Sequence, residues 1–219
     1  MSEQPQYLSR TPWARYGKRP FDVVVAGLTI AVLSPLYLLL AVAVKLTSPG
    51  PVFFSQVRTG RDGVPFHPRK FRSMRAEHRH DVDEVVPLEH AHVTALGRFF
   101  RRFKLDELPQ LFSVFVGEMS LIGPRPTIPE QTAEYDDFQR RRLLVRPGVT
   151  GLAQVNCCPL HPWDERIKFD VYYAEHHGFW LDMGILLKTV VVILLGEQRF
   201  DRPFADSPYA RRDSAAPKS

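Results

Sequence analysis

Asp106 and Glu107 stand side by side within G-R-F-F-R-R-F-K-L-D-E-L-P-Q-L-F-S-V-F-V-G-E-M-S-L-I-G-P-R-P, the stretch from Gly97 to Pro126. Apolar Leu96, Phe99, Phe100 and Phe103 recur at helical spacing beside a stripe of Arg98, Arg101 and Arg102. The pattern restarts after Asp106 with Leu108, Leu111, Phe112 and Phe115, and Gly117 is a natural stop. Pro109 fits only a first turn, so the spacing predicts a new helix from about Asp106, with both carboxylates at its N-terminus. Two chemistries follow. Asp106 is either an N-cap worth ~1 kcal/mol or an ionised nucleophile at a place where free N–H groups and the helix dipole favour anions, phosphate included.

Phosphate chemistry needs cations, and the chain supplies them in ordered positions. Arg125 lies between Pro124 and Pro126, which present its guanidinium on a stiff backbone. Lys70 and Arg72 flank Phe71, so a strand would put both cations on one face. Arg146 opens R-P-G-V-T-G, read as a turn. The pairs His78/His80 and His90/His92 lack a third-ligand pattern and read as a polar loop. Cys157 and Cys158 are adjacent, unsuited to stapling a fold, and no metal-type cysteine spacing accompanies them.

The elements that position these groups begin in an uncharged run from Val23 to Val44. About 22 helical residues reach ~33 Å, enough to cross a bilayer. Ser34-Pro35 interrupts the run, and Pro35 removes the bond to the Ala31 carbonyl. Arg15, Lys18 and Arg19 precede it and Lys45, Arg58 and Arg61 follow it, so the positive-inside rule favours entry and exit on one face over a full span. Beyond it, V-F-F-S-Q-V-R, the Asp62-Gly63 turn and P-F-H-P-R-K-F-R-S-M predict a basic hairpin. Helices are predicted over Asp136–Arg142, Trp163–His176 and Trp180–Leu195, the last interfacial or core. The fold class is α/β and helix-rich. Its parts are a basic tail (1–17), a re-entrant helix–break–helix segment (18–46), a compact catalytic domain (47–200) and a disordered tail (201–219). The catalytic domain carries short strands and membrane-surface amphipathic helices.

These motifs, in this order, resemble the bacterial sugar transferases, the small monotopic phosphoglycosyl transferases. They are K-R-P-F-D with Ser34-Pro35, Q-V-R-T-G-R-D-G, K-F-R-S-M, L-D-E-L-P-Q-L, M-S-L-I-G-P-R-P and R-P-G-V-T-G-L-A-Q-V. The resemblance covers about Lys18 to Phe200. It implies transfer of a sugar-1-phosphate from a UDP-sugar to undecaprenyl phosphate, beginning a surface glycan such as capsule, exopolysaccharide or O-antigen. It implies Mg²⁺ held at Asp106 and Glu107, with Asp106 forming an aspartyl phosphosugar. Lys70, Arg101 and Arg125 would contact the substrate phosphates, with Arg72 and Arg146 as weaker candidates. It places the chain at the bacterial inner membrane, in contact with lipid and with its catalytic domain on the cytoplasmic face; homodimerisation stays open. Lys104, where many relatives carry Ser or Thr, and C-C-P-L-H-P-W depart from the pattern, and the sugar stays unidentified.

Two other classes compete. A net charge of +5 and R-F-F-R-R-F-K would suit a nucleic-acid binder, but the uncharged run from Val23 argues against nucleic acid as partner. A non-catalytic membrane scaffold would tolerate loss of Asp106.

Overall fold

The computed structural model describes residues 8–9, 11–47, 49–74, 92–157 and 161–210, with only the backbone for Glu197 and Gln198. His78, His80, His90 and Cys158 fall outside them. Helix α1 (Lys18–Thr47) runs uninterrupted through Pro35, so the expected break into two helices is not present. The Ala31 carbonyl that Pro35 cannot serve accepts instead from Ser34 Oγ at 2.8 Å. Both halves of α1 rest on the same body. Asp22 is buried and accepts the Leu121 N–H at 3.1 Å. Tyr37 donates to the Leu108 carbonyl at 2.6 Å, and Leu40 and Val44 pack with Phe71 and Phe100.

The predicted hairpin forms as two short ladders: β1 (Phe53–Ser55) pairs with β4 (Arg69–Phe71), and β2 (Arg58–Thr59) with β3 (Pro65–Phe66), all antiparallel. Asp62 and Gly63 turn it with φ of 57° and 79°, as an Asp-Gly turn requires. Helix α2 (Ala95–Arg102) is capped by Thr94, whose Oγ1 accepts the Gly97 N–H at 2.9 Å. Helix α3 (Gln110–Val116) ends at Gly117 with φ 102°, the stop the sequence predicts. Strand β5 (Ser120–Ile122) pairs in parallel with β6 (Gly148–Thr150). The R-P-G-V-T-G segment is therefore partly strand. Its glycines serve close approach: a Cβ on Gly148 would overlap the Gly123 amide, and one on Gly151 the Gly123 carbonyl. Gly148→Ala is expected to destabilise the protein by about 1–3 kcal/mol by prising β5 from β6. An unchanged thermal midpoint would contradict that.

Helices α4 (Pro129–Ala133) and α5 (Asp137–Arg140) follow Arg125, and α5 opens with a capping box between Asp136 and Gln139. After α6 (Leu152–Asn156), helix α7 (Trp163–His176) has the predicted bounds. Helix α8 (Phe179–Leu195) buries Ile185 and Val192 but leaves Trp180 84% exposed. Asp182, which breaks its apolar run, is an internal hub. Its Oδ2 accepts from Trp13 Nε1 at 2.8 Å and Lys18 Nζ at 2.9 Å, and its Oδ1 from Tyr173 at 2.7 Å. The N-terminal segment is thus docked on α7 and α8.

The packed unit also extends beyond residue 200, where disorder was expected. Phe204 meets Phe169 edge-on at 5.0 Å, Tyr209 lies 5.3 Å from Tyr172, and Ser207 is buried. The Pro- and charge-rich composition of this stretch hid two aromatic anchors.

Exposed apolar side chains gather on neighbouring elements. They include Val32, Leu38 and Leu46 of α1, Phe112, Phe115 and Val116 of α3, Phe99 of α2, and Leu187 and Leu194 of α8. Tyr37 meets Phe112 at 5.7 Å, and Arg102 donates to the Ile193 carbonyl at 3.2 Å, joining these helices into one surface. A surface of this kind marks an interaction face. Among the described residues, 13–47 form the one helical run long and apolar enough to cross a membrane.

Candidate active site

Asp106 and Glu107 occupy a 3-10 turn, Leu105–Glu107, ahead of α3. The carboxylates therefore do not sit on the helix N-terminus that the sequence predicts, and Pro109 rather than Asp106 is the residue preceding α3. Asp106 is no N-cap: its Oδ1 is buried with no hydrogen-bond partner among the described residues. The turn is short because Lys104 enters it with φ 56°, in the left-handed region that a lysine adopts at a cost of about 1–2 kcal/mol. That kink separates the α2 face from the dyad and turns both carboxylates inward, where they are buried.

The neighbouring carboxylates live in opposite surroundings. Glu107 Oε1 accepts from Lys70 Nζ at 2.6 Å and Arg125 Nη2 at 2.8 Å, and Oε2 lies 3.5 Å from Arg125 Nη1. Burial opposes ionisation of Glu107, but Arg125 and Lys70 prevail and hold its carboxyl well below the usual range. Asp106 moves the other way. Burial, then the Glu107 charge, push its carboxyl up, and Lys70, Arg101 and Lys104 only partly offset them. Burial also lowers the Lys70 ammonium, against the pull of Glu107. Two adjacent acids with divergent affinities for a proton mark divided roles.

The elements explain the placement. Lys70 projects from β4, which is locked to β1 through Phe71 stacked on Phe53 at 5.4 Å. Arg101 donates from α2 to Ser73 Oγ at 3.0 Å and faces the Asp106 charge. Arg125 reaches Glu107 from the Pro124–Pro126 segment. That segment is held from behind by Arg142, only 2% exposed, whose Nη2 donates to the Arg125 carbonyl at 2.7 Å. The Arg142 guanidinium also donates to Asp170 Oδ2 at 2.7 and 3.1 Å, to Tyr135 at 2.9 Å and to Thr127 Oγ1 at 3.1 Å. Neither Arg142 nor Asp170 is marked as a site residue by its sequence, because an Arg in a charged helix gives no sign of being buried. Arg58, from the basic hairpin, also joins the site, and its charge faces both Arg125 and Glu107.

Two expected phosphate contacts lie elsewhere. Arg72, just past β4, donates to the Pro49 carbonyl at 2.9 Å and is engaged in holding that turn. Arg146 donates to the Gly117 carbonyl at 2.9 Å, and its charged neighbours are Arg61, Arg19, Asp22 and Asp62 rather than the dyad. Ser34 and Pro35 shape α1 and stand apart from the chemistry.

Magnesium suits the donor set. It takes oxygen ligands, usually one or two carboxylates completed by water and substrate phosphates. Among the described residues, Asp106 Oδ1 has no hydrogen-bond partner and Glu107 Oε2 has one long contact. The other oxygen of Glu107, Oε1, is taken by Lys70 and Arg125. Asp106, with a lesser share from Glu107, fits the ion.

Residues 13–196 match the family described as bacterial sugar transferase. The chain is 40% identical over 181 residues to the UDP-glucose:undecaprenyl-phosphate glucose-1-phosphate transferase of Klebsiella pneumoniae, covering 79% of this chain and 39% of that protein. It is 39% identical over 180 residues to the uncharacterized sugar transferase EpsL of Bacillus subtilis (strain 168), covering 82% of this chain and 88% of that one. A UDP-N-acetylgalactosamine-undecaprenyl-phosphate N-acetylgalactosaminephosphotransferase of Aeromonas hydrophila is 40% identical over 199 residues, covering 85% of this chain and 45% of that protein. The chain thus spans less than half the length of the first and third of these relatives.

Proposed function

The chain belongs to the bacterial sugar transferase family, and from that premise we propose that it moves a sugar-1-phosphate from a UDP-sugar to undecaprenyl phosphate at the cytoplasmic face of the bacterial inner membrane. The observation that carries the reading is the asymmetric dyad, with Glu107 Oε1 held by Lys70 and Arg125 and Asp106 Oδ1 without a partner among the described residues. An Asp106 oxygen attacks the β-phosphorus of the donor. The bond from that phosphorus to the bridging oxygen breaks, UMP departs with the electron pair, and an aspartyl phosphosugar remains. An oxygen of the lipid phosphate then attacks the same phosphorus and restores the Asp106 carboxylate. Glu107 orients Lys70 and Arg125 on the diphosphate, and Arg101 and Lys104 offset the charge that gathers at Asp106. Bound Mg²⁺ would neutralise the diphosphate and its leaving group.

Release of UMP from a panel of UDP-sugars, with undecaprenyl phosphate and Mg²⁺ supplied, tests the assignment. Release with one donor names the sugar; silence with every donor would favour the scaffold reading. Asp106 must be ionised to attack, so its upward displacement places the acid limb of kcat/KM above the ordinary 3.8 of a carboxyl. Lys104→Gln removes a cation that favours ionisation and is expected to move that limb to still higher pH, while Lys104→Arg leaves it in place. A limb indifferent to Lys104→Gln would argue against Asp106 as the titrating group.

The reading that α1 enters and leaves the membrane by one face, rather than spanning it, is supported by its contacts. From Lys18 to Val44 a helix advances ~39 Å, yet both ends touch the same body, through Lys18–Asp182 and through Leu40 and Val44. A helix threading the bilayer would carry one end away from it. With Cys157 and Cys158 replaced by Ser, Arg10→Cys and Ser55→Cys chains should label from the same side of the membrane. Labelling from opposite sides would restore a full span.

A further inference from the structure

Away from the dyad, three separate segments bring together a second set of ligating side chains. Cys157 follows α6, His161 lies shortly before α7, and Asp201 follows the turn Glu197–Phe200. One ligand atom from each lies within 4.8 Å of the other two. His161 Nε2 and Asp201 Oδ2 are 2.9 Å apart. A tetrahedral zinc ion spaces its N, O and S ligands by about 3.3–3.6 Å. The imidazole–carboxylate pair would need to open by only a few tenths of an ångström, and the sulfur to close by at most about 1 Å.

The surroundings are already built. Asn156, which ends α6, accepts the Arg202 N–H at 3.1 Å on its backbone carbonyl, and Lys188 Nζ bonds its side-chain oxygen at 2.5 Å. This holds Asp201 against the Cys157 end of α6. Cys157 is 5% exposed, whereas the side chains of His161 and Asp201 are 24% and 31% exposed, which leaves a route for an ion from solvent. A thiolate and a carboxylate balance a divalent charge. The mixed S, N, O set suits zinc or its first-row neighbours rather than magnesium or calcium, which prefer oxygen alone.

We propose that Cys157, His161 and Asp201 bind a zinc-class divalent ion, with a fourth position open to water, and that the ion ties the α6–α7 connection to the C-terminal segment. The sequence signal is Cys157-x3-His161, which the adjacent cysteines obscured, while Asp201 is forty residues further on. A Cys-His-Asp nucleophile set is the rival use of these groups, and the burial of the thiol disfavours it.

The test uses the full chain, purified in detergent, stripped with chelator and titrated with Co²⁺. The expected result is a thiolate-to-cobalt charge-transfer band that saturates at one equivalent and is displaced by Zn²⁺. Cys157→Ser abolishes the band, and Cys158→Ser keeps it. Asp201→Asn alters a partly exposed side chain without emptying the core and is expected to weaken binding by about tenfold or more. The proposal is overturned if the unaltered chain shows no band, if the band survives Cys157→Ser, or if affinity is unchanged by Asp201→Asn. Rapid alkylation of Cys157 without any metal binding would overturn it in favour of the nucleophile set.

Discussion

Asp106→Asn is expected to lower UMP release by about 10⁴-fold or more, equivalent to roughly 5 kcal/mol of barrier, while the protein stays folded. The side chain is buried and Oδ1 makes no hydrogen bond among the described residues, so the amide gives up little structure. Burial already disfavours the charge it removes. The reaction loses its nucleophile, and an amide oxygen neither attacks phosphorus well nor departs cleanly. Mass analysis of the unaltered protein after incubation with donor alone should show one sugar phosphate on the peptide carrying Asp106, absent from the variant. Glu107→Gln should behave differently. Lys70 and Arg125 would face each other across a weakened acceptor, so both the thermal midpoint and donor affinity should fall. Near-normal turnover by Asp106→Asn would sink the assignment of this residue and the covalent intermediate with it.

Removing the Arg142 guanidinium should have the largest effect on stability. Arg142→Met leaves Asp170, 3% exposed, as a buried carboxylate without its partner. Breaking one side of such a pair costs about 3–5 kcal/mol, which for a chain of this size lowers the melting temperature by roughly 10 °C. The same change frees Tyr135, Thr127 and the Arg125 carbonyl from a shared donor. UMP release should therefore fall further than the loss of folded protein explains, because Arg125 is no longer aimed at Glu107. The double change Arg142→Met, Asp170→Leu removes both charges and should recover much of the stability but not the activity. Recovery of both would mean that Arg142 acts only as a structural pair. A melting temperature within a degree or two of the unaltered protein would contradict the buried-pair account altogether.

Local patterns carried well into the structure where one short-range rule dominates. The Asp62-Gly63 hairpin, the Gly117 stop and the bounds of α7 each depend on a few consecutive residues, and each is present. The failures share a different cause. Asp106 was placed on a helix N-terminus because Pro109 suits a first turn, but Lys104 in the left-handed region resets the chain two residues earlier. Pro35 was read as a break, yet Ser34 satisfies the exposed carbonyl locally and α1 continues. Composition pointed to disorder beyond residue 200, where Phe204 and Tyr209 find aromatic partners from α7.

The sequence by itself determined the family, the candidate carboxylates and three of the cations around them, because ordered motifs and residue chemistry are properties of the chain. Burial and charge pairing are properties of its folding. Only the tertiary structure decided that Glu107 is neutralised while Asp106 is not. It also decided that Arg142 supports the Arg125 segment, that Arg146 is bonded to the Gly117 carbonyl, and that Cys157, His161 and Asp201 meet. Each of these depends on groups from separate elements brought within a few ångströms, and pair energies at that range follow distance and desolvation rather than order along the chain.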